Sequence, residues 1–167
     1  MPGYGWKLKK VIKAVREAQH EHDYVLFTDS FDSYIFCQPD EIIRKFKSLN
    51  HRMVVSAEVN LWPNPEFADQ MPPSSATGHY KFPNSGGYMA EIPYLLELFD
   101  KMGIEWKSDC VDDQGELIKE IALDHDAFRI DHDAVLFQTL FGLIHLANST
   151  LFKSLCLSVN FFHFHEY

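Results

Sequence analysis

Between residues 24 and 57 the hydrophobic pattern changes from strand-like to helix-like and back, and this constrains the fold more than any other feature of the chain. Val25, Leu26 and Phe27 form a short apolar run of strand type, after a helix-like stretch and before turn-prone polar residues. "QPDEIIRKFKSLN" then opens a helix. Pro39 suits an early position, Asp40 and Glu41 suit the first turn, and Ile42, Ile43, Phe46 and Leu49 recur as a buried stripe. "RMVVSAE" is the next strand. A strand-helix-strand unit normally belongs to a parallel sheet, so the expected class is α/β.

The first of these strands runs into "TDSFD", residues 28 to 32. In open α/β sheets ligands bind beyond the carboxyl ends of the strands. Asp29 and Asp32 at such an edge suit a hard divalent cation, which prefers oxygen ligands. The competing reading has Asp29 capping the next turn and Asp32 facing water. A phosphatase-type hydrolase with a nucleophilic strand-end aspartate is set aside. Its second aspartate stands two residues after the first, and Phe31 holds that position here.

Ahead of this unit, Leu8, Val11, Ile12, Val15 and Ala18 recur at helical spacing, with Lys9, Lys10, Lys13 and Arg16 on faces read as solvated. Gly3 and Gly5 stand just before that helix, where backbone can approach a phosphate that Lys7 could reach. Beyond the Asp29 region, Tyr34 to Phe36 reads as a further short strand. Residues 59 to 83 carry five of the eight prolines and form a long excursion in which Trp62 is exposed or packed against a partner. Gly86 and Gly87 lead into a strand, and Pro93 starts a helix through Leu95, Leu96, Leu98 and Phe99. Asp109, Asp112 and Asp113 open another helix, where capping is the ordinary role of such residues. "AFRIDHDAVLFQTL" reads as two short strands around an Asp-His-Asp turn.

Composition narrows the function. A net charge of −9 argues against a general nucleic-acid binder, whose affinity comes from Lys and Arg at phosphates. At 167 residues, 46% hydrophobic and 23% charged, the chain suits one globular domain with a real core. Cys37, Cys110 and Cys156 have no zinc spacing, and their odd number excludes a fully paired intrachain set. The apolar stretch from Ala134 to Phe164 is interrupted by His145, Asn148 and Lys153, so no membrane span is expected. "MPGYGWKLKK" lacks an apolar signal core, and the sequon Asn148-Ser149-Thr150 is read as a chance occurrence.

Several stretches fall in one order: "GYGWKLKK", "TDSFD", Phe46 with Ser48 to Asn50, Val54 to Glu58, Trp62-Pro63, "NSGGY", "DDQ" and "VLFQTL". Their order and spacing over roughly residues 3 to 140 resemble the amino-terminal glycosyltransferase domain of the procollagen lysyl hydroxylases and related collagen-modifying glycosyltransferases. The resemblance implies a GT-A fold, a Rossmann-like nucleotide-sugar domain in which manganese holds a diphosphate. It implies Asp29 and Asp32 as metal ligands, and Phe31, where the family more often has tyrosine, as the ring stacked on uracil. Lys7 matches a lysine of the family's glycine-rich helix entry, and Trp62 a tryptophan of a mobile loop beside the donor pocket. Asn84, Ser85 and Gly86 match the stretch lining the sugar site, and Asp112 and Asp113 the aspartates near sugar and acceptor.

The implied activity is manganese-dependent transfer of glucose or galactose from UDP-glucose or UDP-galactose to hydroxylysine-linked glycans of a collagen-like acceptor, in the endoplasmic reticulum lumen or secretory pathway. Two family features have no counterpart here, the first strand of the uridine pocket and a downstream histidine that completes the metal site. His145, His163 and His165 are candidate substitutes, with ordinary surface or packed histidines as the competing reading. The carboxy-terminal iron and 2-oxoglutarate hydroxylase domain is also missing. Residues 1–140 are therefore expected to be a GT-A domain incomplete at both ends, followed by a divergent apolar tail over 141–167. Little or no turnover is expected from this chain by itself. The alternative is a non-catalytic fragment or pseudoenzyme that keeps the fold as a binding or interaction domain.

Overall fold

Period-3.6 and period-2 patterns sort this chain into a sheet covered by helices on both faces, as seen in a computed structural model that describes residues 4–29, 33–74 and 80–139. The elements are α1 (Gly5–Ala18), β1 (Tyr24–Thr28), α2 (Pro39–Ser48), β2 (Met53–Glu58), a 3-10 turn (Pro65–Gln70), β3 (Phe82–Glu91), α3 (Ile92–Met102), α4 (Asp113–Leu123) and the two-residue β4 (Arg129–Ile130). Two further 3-10 turns, Ile104–Trp106 and His125–Ala127, join the later helices. Pro39 and Pro93 stand in first helical turns, where a missing N–H costs nothing. Gly103, at φ 64°, ends α3 in the left-handed conformation that favours glycine.

The sheet order is β1-β3-β2-β4. β3 is antiparallel to both β1 and β2, and β4 joins the outer side of β2 in parallel. This corrects the expectation of a parallel sheet around β1 and β2. They run the same way, as a strand-helix-strand unit requires, but β3 lies between them. Tyr88, Met89 and Ala90 are buried consecutively, on both faces of the sheet, and such residues gain most from a central position.

Alternate residues divide the core. Val54 and Met89 join Phe46 under α2, with Tyr24 and Leu26 beside them. Val55, Tyr88 and Ala90 face the other way, into a larger cluster with Leu8, Ile12 and Val15 of α1, Leu95 and Phe99 of α3, and Leu117, Ile118 and Ile121 of α4. The helical stripes expected at α1, α2 and α3 thus supply the cover. Ile42, Ile43 and Leu49 are half-buried, leaving Phe46 as the buried anchor of α2.

Three local expectations change. Tyr34, Ile35 and Phe36 form no strand; they are exposed at 76%, 60% and 63%, and no strand among the described residues takes up their backbone groups. The second strand expected near Val135 does not form either. The N–H groups of Val135, Leu136 and Phe137 all donate to the buried Asp131 carboxylate, at 2.8, 2.7 and 2.8 Å, so they are not available to a ladder. Gly5 does not lie ahead of α1 as an open phosphate loop. It is the first helical residue, and a Cβ there would collide with the Ser108 carbonyl oxygen. Gly3 lies outside the described residues, as do the apolar tail and its three histidines. No helix among the described residues is long and apolar enough to cross a membrane.

Candidate functional site

The site begins with a break in the ladder between β2 and β3. Val55 pairs with Tyr88, but the next residue, Ser56, pairs with Asn84. Ser85, Gly86 and Gly87 therefore bulge away from β2, while Gly87 still pairs with Thr28 on the β1 side. The Asp29 N–H donates to the Gly86 carbonyl at 2.9 Å, and the Gly86 N–H donates to Asn84 Oδ1 at 2.7 Å. A Cβ on Gly86 would lie 2.8 Å from Asn84 Oδ1 and 3.1 Å from Asp29 Oδ2, so glycine is what lets the bulge close on the end of β1.

Two helix starts converge on this bulge. Lys7, in the first turn of α1, places Nζ 3.1 Å from Asp29 Oδ1 and 2.6 Å from Asp113 Oδ2. Its ammonium also lies over the rings of Tyr4 and Phe27. Asp113 is buried at the first position of α4, where the helix dipole favours negative charge. Burial by itself would lower the Lys7 pKa. The hydrogen bond and charge of Asp113, then those of Asp29, outweigh it and hold the ammonium above its ordinary 10.5. Asp112 has the capping role typical of its position, its Oδ1 accepting from the Gly115 N–H at 2.8 Å.

Of the residues singled out from the sequence, Lys7, Asp29, Asn84, Ser85, Gly86 and Asp113 come together at one edge of the sheet. Trp62 reaches the same edge through its backbone carbonyl, while its indole is exposed at 69%. Phe31 and Asp32 lie outside the described residues. Among the described residues no three His, Cys, Asp or Glu side chains form a metal-holding group. Asp29 fits as one ligand. It is a hard oxygen donor at the strand end, and Oδ2 stays outside the Lys7 ion pair.

Sequence reasoning passed over three participants. Gln114 reaches from α4 to Glu58, to the Trp62 carbonyl and to Ser85. Glu58 stands at the carboxyl end of β2, the position that drew attention to Asp29 on β1, and the same rule would have found it. Tyr88 stacks on Phe27 with ring centroids 4.8 Å apart, and its hydroxyl is buried without a hydrogen-bond partner among the described residues. Burial first, then the charges of Asp113 and Asp29, pushes its phenol pKa far above the ordinary value.

Burial also raises the Glu58 pKa above 4.5, against hydrogen bonds from Gln114 and Asn84 that lower it. The folded state then holds this proton more tightly than the unfolded state does. Glu58 therefore costs stability as pH rises from 4.5 through its higher folded value. Glu58→Gln is expected to gain stability relative to the parent between pH 4 and pH 7, measured by urea unfolding. A stability difference that does not change with pH would show that Glu58 titrates normally.

The family model for the PLOD GT domain matches residues 1–154 of this chain. Procollagen-lysine,2-oxoglutarate 5-dioxygenase 2 of Mus musculus is 32% identical over 146 residues, covering 84% of this chain and 19% of the relative. Procollagen-lysine,2-oxoglutarate 5-dioxygenase of Drosophila melanogaster is 32% identical over 147 residues, covering 84% and 20%. Multifunctional procollagen lysine hydroxylase and glycosyltransferase LH3 of Homo sapiens is 28% identical over 148 residues, covering 85% and 19%. The chain thus spans about a fifth of the length of these relatives. By these matches this chain, whose mixed α/β fold is consistent with them, belongs to the PLOD GT family, a glycosyltransferase-type domain related to the lysyl hydroxylases.

Proposed function

We propose that this domain is a GT-A hexosyltransferase unit that binds UDP-glucose or UDP-galactose with manganese and serves transfer to hydroxylysine-linked glycans of a collagen-like acceptor in the secretory pathway. The observation that carries the reading is Lys7, paired at once with Asp29 at the end of β1 and with Asp113 at the start of α4. An ammonium so placed neutralises charge where a diphosphate would lie, beside a carboxylate that fits a hard cation.

Asp29 and Asp32 would hold the manganese, and the metal, when bound, stabilises negative charge on the leaving diphosphate. Phe31 offers a flat face to the uracil. Trp62, exposed and fixed by its own backbone, offers a second ring at the mouth of the site. Asn84, Ser85 and Gly86 would line the sugar through the bulge. Asp113, with Asp112 beside it, would orient the acceptor hydroxyl or stabilise positive charge developing on the sugar.

One observation favours a second reading, donor binding without turnover. Lys7 engages Asp29 Oδ1 and Asp113 Oδ2, so one oxygen of each carboxylate stays committed until the ammonium moves. Calorimetric titration of UDP with and without manganese chloride tests the donor site. Binding is expected to need manganese and to weaken about tenfold or more in Asp29→Asn and in Asp32→Asn. Equal UDP binding by the parent and both variants would refute the metal assignment. Release of UDP with a collagen-type acceptor present then separates transfer from binding alone.

A further inference from the structure

We propose that Gln114 is a positioning residue of this site, a clamp that sets the Trp62 segment and the Ser85 bulge at a fixed distance from each other. The inference rests on the donor-site reading above. Gln114 is the second residue of α4, next to the Lys7 partner Asp113. Its Nε2 donates to Glu58 Oε1 at 2.8 Å and to the Trp62 carbonyl at 2.5 Å. Its Oε1 accepts from the Ser85 N–H at 3.3 Å and from the Ser85 hydroxyl at 3.5 Å.

A glutamine amide has two N–H donors and one oxygen with two lone pairs, so these four contacts use its full capacity. The network also fixes which way the amide points. Turned over, the oxygen would face the Glu58 carboxylate and the Trp62 carbonyl, and the NH2 would face the Ser85 N–H. Other side chains do not reproduce this. Glutamate lacks both donors and would set a second carboxylate against Glu58, asparagine is one methylene too short, and methionine fills the space with no polar contact. One amide thereby joins the end of β2, the proline-rich excursion, the β3 bulge and the start of α4.

The consequence concerns Trp62. Its indole is exposed at 69%, so side-chain packing does little to hold it. The backbone is held instead. The carbonyl is fixed by Gln114, and the neighbouring Pro63 and Asn64 pack against the Cα of Gly115, where a Cβ would lie 2.8 Å from Asn64 Oδ1 and 3.3 Å from Pro63 Cγ. An exposed ring on a fixed backbone is poised to close on a ligand at small entropic cost. The same amide holds Ser85, so ring and bulge keep a fixed spacing.

The test compares Gln114→Met, Gln114→Glu and the exchanged pair Glu58→Gln with Gln114→Glu. In the exchanged pair the new glutamine donates to the new glutamate, so the bond between positions 58 and 114 is rebuilt with reversed polarity. The readouts are UDP affinity in manganese chloride, amide hydrogen exchange over residues 59–64 and at Ser85, and the global unfolding midpoint in urea. Gln114→Met is expected to weaken UDP about tenfold and to speed exchange at both segments, with little change in the midpoint. Gln114→Glu should weaken UDP further, and the exchanged pair should recover most of that added loss.

A Gln114→Met chain that binds UDP like the parent despite faster exchange would remove the positioning role and leave the donor site standing. Unchanged exchange at both segments would show that the amide clamps nothing. A parent that binds no UDP in manganese would bring down the donor-site reading, and the proposal with it. Failure of the exchanged pair to exceed Gln114→Glu would also count against the clamp.

Discussion

Lys7→Met is expected to lower the unfolding free energy by about 3 kcal/mol, because it leaves the buried Asp113 carboxylate without its cation. Asp113 is only 6% exposed, so water cannot take over the role of the ammonium. Methionine keeps much of the apolar stem that passes Tyr4 and Phe27, so the loss reports mainly on charge. The pH dependence gives a second signature. A lysine whose pKa is raised on folding contributes stability that is complete below 10.5 and is lost as pH rises through the higher folded value. The parent should therefore lose stability in that alkaline window more than Lys7→Met does. Urea unfolding at pH 7 and above pH 10.5 checks both points. A loss at pH 7 below about 1 kcal/mol would place the pair among surface ion pairs of little net effect.

What the sequence disclosed follows the range of the interactions involved. The stripes Leu8-Ile12-Val15 and Leu95-Phe99 repeat at helical spacing, so α1 and α3 could be read from neighbours a few residues apart. The place of β3 could not. Its pairing with Tyr24–Thr28 on one side and Met53–Glu58 on the other joins segments far apart in the chain, and no local period records it. Tyr34 to Phe36 shows the reverse failure. A β-type composition finds no partner strand among the described residues, and the side chains stay exposed. Val135 to Phe137 was misread because a single buried carboxylate, Asp131, captures three successive N–H groups.

The site divides the same way. Asp29 was visible because a strand-end carboxylate after an apolar run is a local pattern, and Asp112 because helix capping is local. The meeting of Lys7 with Asp113 joins the start of α1 to the start of α4. Local pattern raised Lys7 as a phosphate contact and Asp113 as a helix-start residue, the family resemblance raised both as site residues, and neither showed that they touch. Glu58 and Gln114 lay inside motifs already singled out, "VVSAE" and "DDQ". Their importance comes from the bulge that brings Ser85 to them, a feature of register that composition does not carry.

Asp113→Asn is expected to reduce turnover about 10²-fold while leaving UDP affinity unchanged or slightly improved. The two aspartates of "DDQ" are chemically alike, but the fold gives them different surroundings. Asp112 sits at the helix cap with one oxygen tied to the Gly115 N–H, so Asp112→Ala should cost about 1 kcal/mol of stability through the lost cap. Asp113 is buried against the Lys7 ammonium beside the bulge and contributes a fixed charge in a site partly closed to water. In the proposed transfer such a charge would act most where positive charge grows on the sugar, and removing one such contact would cost about 3 kcal/mol at the transition state. Ground-state donor binding depends on it less. Asparagine keeps the shape, and Lys7, still paired with Asp29 but released from Asp113, becomes more available to a diphosphate. The two effects therefore separate, a fall in kcat against a steady or tighter donor Kd. UDP release with manganese and a collagen-type acceptor measures the first relative to the parent, and UDP calorimetry measures the second. Equal turnover in Asp113→Asn and the parent would leave Asp113 as the counter-ion of Lys7 alone. A parallel loss of donor affinity would move its role from the transition state to the bound ground state.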